Sequence, residues 1–400
     1  MTPSLSARSS ASHPERRVAG LDALRSLAIV SVIAYHLHVF HDLGALPKWL
    51  ENTLQQGWMG VDLFFVLSGF LIGAQFLRPY TLARTPALWP FYRDRIFRIL
   101  PAYFSILALY LFVPLWRETG QMSPAWKFLT MTENIFPDEV MNRAFSHAWS
   151  LCVEMHFYLI FPVVVLLMMR RPSWQKTAFL ASGLALLGLA IRACAFFACV
   201  QPLMQTGRPY GYDFMAFLYY PTYSHCDGLL MGVLLAVLML FRPALWSALT
   251  QRGLECLLAG TILLGVSFWI FASKWHPTTP SGIFGTIAGP LVQSVAMGLL
   301  LIASVASGRI ARLFKIPGCG TISTLAYTLY LVHKELLHLV DRVFPALFRW
   351  NRLAWVAVYV ASCLLCALAL HLGIERPFLR LRSRLRQPRL TQLEPQVEGG

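Results

Sequence analysis

Charge is the scarcest property of this chain. Only 13% of its 400 residues are Asp, Glu, Lys or Arg, and 19 carboxylates stand against 34 lysines and arginines. Soluble domains carry about 25% charge. A hydrophobic fraction of 56% and a mean hydropathy of +0.56 therefore place the chain among polytopic membrane proteins. Signature loops are missing as well. No Walker loop, dinucleotide fingerprint, HExxH or GxSxG occurs, which argues against the common ATP, NAD, zinc-protease and serine-hydrolase chemistries. Cysteines number eight; Cys363 and Cys366 form a Cys-x-x-Cys pair inside an apolar stretch with no second ligand pair nearby, so no metal is assigned. Buried cysteines ordinarily fill space as small apolar groups, and no disulfide is assigned either. No internal repeat is visible.

What the chain has is apolar windows long enough to cross a bilayer, each about 20 residues. They recur at 22–40, 58–77, 99–116, 149–169, 177–200, 222–241, 254–273, 285–306, 322–340 and 353–372. The expected fold is all-α: a polytopic transmembrane helix bundle of about ten spans, residues 21–380, with both termini cytoplasmic. A Ser- and Arg-rich tail is expected at 1–20 and a basic, polar one at 381–400. Arg16 and Arg17 precede an apolar segment as in a cleavable signal, but that segment is long and further spans follow, so it is read as permanent.

Orientation follows from the lysines and arginines. With the N-terminus inside, Arg8, Arg16, Arg17, Arg78, Arg84, Arg93, Arg95, Arg98, Arg170, Arg171, Lys176, Arg242, Arg252, Arg309, Arg312, Lys315 and six arginines of 376–389 are cytoplasmic, 22 against 9 outside. Only the 341–352 loop runs against the rule. The net charge of +15 is then topology information plus attraction to anionic lipid, and no nucleic-acid partner is needed to explain it.

Several spans keep ionisable residues, which are costly in a membrane and functional by default. Arg25 and His36 in the first are eleven apart, almost a whole number of helical turns, so they share a face with ~16 Å between their depths. Depth arithmetic puts His36, Glu154, Asp227, Asp62 and His333 in one outer-half layer, which suggests a cavity. The bland alternative is a set of buried ion pairs between helices, and Asp62 and Asp227 suit it best. At the inner face, Arg95 and Arg98 are three apart and neighbours on one helical face, a fork-bearing pair suited to phosphate. Ordinary positive-inside arginines are the alternative there.

Taken in order, these residues resemble the acyltransferase-3 family of integral membrane acyltransferases, many of which acylate bacterial surface glycans. The resemblance runs from about residue 20 to about 380. It rests on Arg25 and His36 with ten residues between them, "GVDLFFVLSGFLIG" (60–73), Arg95-x-x-Arg98 followed by Ile99 and Pro101, "WSLCVEMHFYLIFP" (149–162), "CDGLLMG" (226–232), "YTLYLVH" (327–333) and "ERPF" (375–378). It implies transfer of an acyl group, often acetyl from acetyl-CoA as a donor that is not tightly bound, to a hydroxyl of an extracytoplasmic or lipid-linked carbohydrate, such as O-antigen or exopolysaccharide. A bacterial inner-membrane location goes with that reading. By the same resemblance His36 is catalytic and Arg25, Arg95 and Arg98 handle the donor. Two departures stand out. Many relatives read Glu-Glu-Gln where this chain has Glu154-Met155-His156, and some carry a C-terminal hydrolase-like domain where about 25 basic and polar residues follow the last span here.

The mechanism expected has inner-face arginines holding the CoA phosphates while the pantetheine arm carries the thioester toward His36. Neutral imidazole then takes the acceptor's proton, with Glu154 orienting it as a triad carboxylate does; a covalent acyl-histidine is the rival. Tyr35, Ser68, His333 and Asp227 are expected near the oxyanion or acceptor. The other class considered is a transporter or flippase of lipid-linked sugars, since intramembrane carboxylates and histidines also relay protons. Such a protein would show corresponding broken spans in two halves, and the sequence has no convincing internal symmetry.

Overall fold

The computed structural model describes residues 18–42, 44, 46–135, 144–168, 173–272 and 279–386. Residues 1–17 and 387–400 of the two expected tails lie outside the described residues, as do Arg143, Arg170, Arg171 and Lys274. Among the described residues there is no strand.

Each of the ten apolar windows falls on a helix. In chain order they are α1 (Ala19–Phe40), α2 (Gly60–Thr81), α3 (Leu88–Phe112), α4 (Trp149–Met168), α5 (Trp174–Ala195), α6 (Cys226–Phe241), α7 (Gly253–Ala272), α8 (Gly289–Ser304), α9 (Cys319–Val343) and α10 (Arg352–Leu370). An eleventh, α11 (Arg376–Arg386), runs past the boundary expected at 380 and lies against α3. By length and composition the described residues hold seven membrane-crossing helices, or up to nine if each of two bent pairs is one span. The bends follow α6, where the helix resumes at Pro243 turned by 111°, and precede α8, where Pro280–Ile287 meets it at 60°. Proline at the start of each following helix explains both: it has no N–H to continue the preceding ladder and is pre-set to begin a new one. The remaining candidate, α9, is long enough but polar, carrying His333, Lys334, Glu335 and His338.

Helices that are apolar all round belong inside a protein or inside lipid. Here both apply. Leu27, Leu159, Leu186, Ile262 and Leu365 point outward and are more than half exposed, a surface that water would not tolerate over so wide a band. Inward, a core of Tyr103, Tyr110, Phe145, Trp149, Leu331, Trp355 and Tyr359 joins α3, α4, α9 and α10. The chain is a multi-pass integral membrane protein.

The helices that carry the sequence's polar residues converge: α1 against α2 and α9, α2 against α4 and α6, and α3 against α4 and α9. Contact between α2 and α6 is closest at two glycines. A Cβ on Gly69 would collide with the Leu229 carbonyl, and one on Gly232 with the backbone of Val66 and Phe70. Small residues of this kind let backbones meet where lipid offers no hydrophobic drive. Gly232→Ala is expected to lower the thermal-unfolding midpoint in detergent, an overpacking cost of about 1–3 kcal/mol. Gly183→Ala on α5, whose Cβ would meet open space, should leave the midpoint unchanged or raise it slightly; equal effects at the two positions would contradict the close approach.

Candidate active site

The sequence places five ionisable residues at one depth, and the structure divides them. Asp227 is committed to Arg192 of α5 at 2.6 Å, with both side chains essentially inaccessible. Arg192 also donates from Nε to the Ile287 carbonyl at 2.8 Å. That arrangement ties α5, α6 and the segment before α8 together; the sequence led to an expectation of Asp227 beside the acceptor, and the structure sets it in a buried ion pair with Arg192. Asp62 is held by His225 Nδ1 at 2.9 Å and by Gln293 Nε2 at 3.1 Å. Both acids are cross-braces between helices.

Glu154 belongs to a second group. Ser68 Oγ donates to its Oε1 at 2.5 Å, Tyr158 one turn further along α4 donates to the same oxygen, and the two hydroxyls are 2.8 Å apart. The Tyr158 ring in turn faces the buried Arg95 guanidinium at 5.8 Å, and Arg95 donates to Gln75 of α2. So the carboxylate is joined through Tyr158 to an arginine, and the expected support of His36 by Glu154 is not made. Arg98, one turn from Arg95, is exposed, and Arg93 and Arg98 are charged neighbours of Arg382 on α11. Arg25 pairs with Asp22 at 3.9 Å, whose Oδ1 also accepts from Ser323 at 2.7 Å.

His36 and His333 do come together. His333 Nε2 lies 3.3 Å from His36 Nδ1, and the same His36 nitrogen faces the Val32 carbonyl one turn below at 3.0 Å. Tyr35 meets the His36 ring edge-on and Phe40 stacks on it, with centroids 5.1 and 6.2 Å away. His36 is half-buried, whereas His333 is fully buried on α9. The end of α1 above His36, with His38, Phe40, His41 and Asp42, lines an outward cavity of about 440 Å³ together with Gly44, Leu46 and Glu51.

Behind His333 lies a cluster that sequence reasoning missed. Its entry point is Phe145, a non-glycine residue at φ 61°, a conformation L-residues rarely adopt. Its N–H donates to Glu118 at 3.2 Å and its ring stacks on Tyr110 at 4.5 Å, which holds the strained turn in place. The turn directs His147 inward, 3.5 Å from Glu335 and with its ring centroid 5.3 Å from that of His333. Lys334 donates to Ser146 at 2.6 Å and lies 3.6 Å from Glu118. Ligand atoms of Glu118, His147 and Glu335 lie within 4.8 Å of one another, close enough to hold a cation. The Lys334 ammonium beside them already supplies positive charge, so we describe the set as an ion-pair cluster. Burial pushes the Glu118 carboxyl above its ordinary range, against the pull of Lys334.

Signals for the missed residues existed. Arg192 is the lone Lys, Arg, Asp or Glu of the 177–200 window, and an unaccompanied intramembrane charge demands a partner. Tyr158 follows Glu154 by four residues, the spacing of helix-face neighbours.

An α-helical membrane bundle that brings buried carboxylates, arginines and histidines together, with the His36 ring half-buried near a cavity, has the character of a membrane-embedded enzyme. The chain belongs to the acyltransferase domain family, whose profile matches residues 18–371. It is 25% identical over 351 residues to the peptidoglycan O-acetyltransferase OatA of Listeria monocytogenes, covering 83% of this chain and 51% of that protein. It is 24% identical over 386 residues to the O-acetyltransferase OatA of Staphylococcus aureus, covering 90% of this chain and 57% of the relative. The chain thus spans about half the length of the curated relatives it matches. No solved structure matches.

Removing one partner of a buried ion pair costs about 3–5 kcal/mol, because the other charge is stranded. Asp227→Asn is therefore expected to reduce the folded yield from membranes sharply while any turnover per folded molecule stays near wild type. A folded protein with lost turnover would return Asp227 to the chemistry.

Proposed function

We propose that the protein is a membrane O-acetyltransferase that moves an acetyl group from acetyl-CoA to a hydroxyl of an extracytoplasmic carbohydrate, with His36 as general base. The observation that carries the reading is the bonding of His36. Its Nδ1 is engaged by Val32 and His333, its Nε2 makes no hydrogen bond to any described residue, and its ring is half-buried at the end of the bundle that bears the outward cavity. An imidazole with one nitrogen fixed and the other open is what a base needs. Family membership and relatives named as O-acetyltransferases support the transferred group.

The donor assignment rests on charge. Arg98 is exposed, Arg93 and Arg382 are close by, and guanidinium forks suit the phosphates of a nucleotide thioester. Arg95 is buried among Phe91, Tyr158 and Gln75, a setting that favours holding Tyr158 and Glu154 in place over gripping phosphate. The thioester arm would then run from the cytoplasmic arginines toward His36. For the acceptor, a relative's name specifies peptidoglycan; O-antigen, exopolysaccharide and a lipid-linked glycan are the other carbohydrates that present a hydroxyl from the same side.

The test is acetyl transfer by the purified protein in liposomes supplied with radiolabelled acetyl-CoA and fragments of peptidoglycan or lipopolysaccharide. Carbohydrate-dependent release of CoA, lost in His36→Ala with insertion intact, is the expected result; transfer that survives in that variant would remove His36 from the chemistry. In the same assay Arg98→Ala is expected to raise the KM for acetyl-CoA about tenfold, the loss of one charge-assisted contact worth roughly 1.5 kcal/mol, with kcat little changed. Arg95→Ala should instead lower kcat, and the reverse split would exchange the two roles.

A further inference from the structure

We infer that His333 is the positioning residue of the acetyl-transfer base: with the Val32 carbonyl it holds the proton of His36 on Nδ1, so that the lone pair on Nε2 is the one offered to the acceptor hydroxyl. This inference rests on the function proposed above and specifies how its site is set.

Two backbone carbonyls assign the tautomers. A carbonyl oxygen only accepts, so a ring nitrogen within hydrogen-bond distance of one must carry the hydrogen. His333 Nδ1 faces the Tyr330 carbonyl at 2.8 Å, hence in the neutral ring the proton is on Nδ1 and Nε2 is a bare acceptor. His36 Nδ1 faces the Val32 carbonyl at 3.0 Å and therefore carries its own hydrogen, shared with His333 Nε2 at 3.3 Å. Every hydrogen on the two rings is then accounted for, and His36 Nε2 is left unprotonated and unbonded.

His333 is built to stay put. Its backbone carbonyl accepts from Tyr359 of α10 at 3.0 Å, and its ring sits between those of His147 and Tyr330 at 5.3 and 5.5 Å. Tyr330 is itself tied to the His147 carbonyl at 2.9 Å and to Ser150 at 2.5 Å. In the reaction the acceptor oxygen forms its bond to the thioester carbonyl carbon and gives its proton to His36 Nε2. The carbon–sulfur bond then breaks, and the proton passes from Nε2 to the departing CoA sulfur. While His36 is an imidazolium, its Nδ1–H bonds to Val32 and His333 become charge-assisted and strengthen. A triad carboxylate does this with a full charge; His333 does it with a neutral lone pair, which a buried site in a membrane accommodates at lower cost.

The test combines a spectrum with kinetics on the full-length protein in nanodiscs. Nitrogen-15 NMR of histidine-labelled wild type should show His36 protonated on Nδ1 and bare on Nε2. In His333→Ala, with the Val32 carbonyl the acceptor that remains, the His36 Nδ1 resonance should shift and the Nε2-protonated tautomer should appear beside the first, and kcat for acetyl-CoA turnover should fall on the order of a hundredfold, the scale of one correctly oriented proton transfer, with KM for acetyl-CoA within about twofold. His333→Gln, whose side-chain carbonyl can still accept from His36 Nδ1, should recover at least tenfold of the loss. A wild-type His36 protonated on Nε2, an unchanged tautomer or kcat in His333→Ala, or equal kcat in the Ala and Gln variants would each overturn the inference. Should His333→Ala fail to insert, the wild-type spectrum and the Gln variant decide alone. Because the spectrum requires no turnover, a protein with the assigned tautomer and no acetyl transfer would disprove the function while leaving the positioning intact.

Discussion

A polar side chain on a helix in lipid must find its partner within the protein, because there is no water to supply one. The rest of this structure follows from that constraint. Arg192 satisfies Asp227, His225 and Gln293 satisfy Asp62, Ser68 and Tyr158 satisfy Glu154, and Lys334 stands beside Glu118. Apart from Tyr158, one turn from Glu154 on α4, each partner comes from a segment far off in sequence, so the polar residues that look costly one helix at a time act as cross-links when the helices assemble. Several buried side chains, Glu335 and His338 among them, keep spare bonding capacity; the informative one lies on a half-buried ring at the cavity end. His36 has it at Nε2.

The two ends of the bundle differ in kind. One gathers arginines, with Arg98 exposed and Arg382 brought beside it by α11. The other opens into a cavity rimmed by His38, His41 and Asp42. Within the bundle a chain of polar contacts, Gln75 to Arg95 to Tyr158 to Glu154 to Ser68, is shared by α2, α3 and α4. The proposed donor and acceptor arrive from opposite sides, and such a reaction needs this difference between the two ends. The proposed reaction therefore draws on the bundle as a whole, with binding and chemistry at opposite ends of the same helices.

The elements of this fold were readable in the sequence because transmembrane length and hydropathy are local properties. All ten windows became helices, and even α9, too polar to stand out as a span, was found by its 322–340 window. Spacing along each helix was readable for the same reason, since rise per residue is fixed. Partnership was not. Whether Glu154 meets His36 or Ser68 depends on how α4 is rotated against α1 and α2, and hydropathy carries little information about rotation when a helix is apolar on every side. The His147 turn was hidden more deeply, because it depends on a left-handed Phe145 held by Glu118 from a distant loop.

The central claim is that one histidine nitrogen is left open for chemistry and is fed from the arginine-rich end. An electron cryomicroscopy map of the protein with a non-hydrolysable acetyl-CoA analogue tests it most directly. The account predicts the nucleotide beside Arg98 and the acyl carbonyl near His36 Nε2, leaving room for the acceptor oxygen at a near-attack distance of about 3–3.5 Å. An analogue bound from the cavity end, or an acyl group that stops at Glu154 with His36 turned away, would contradict it.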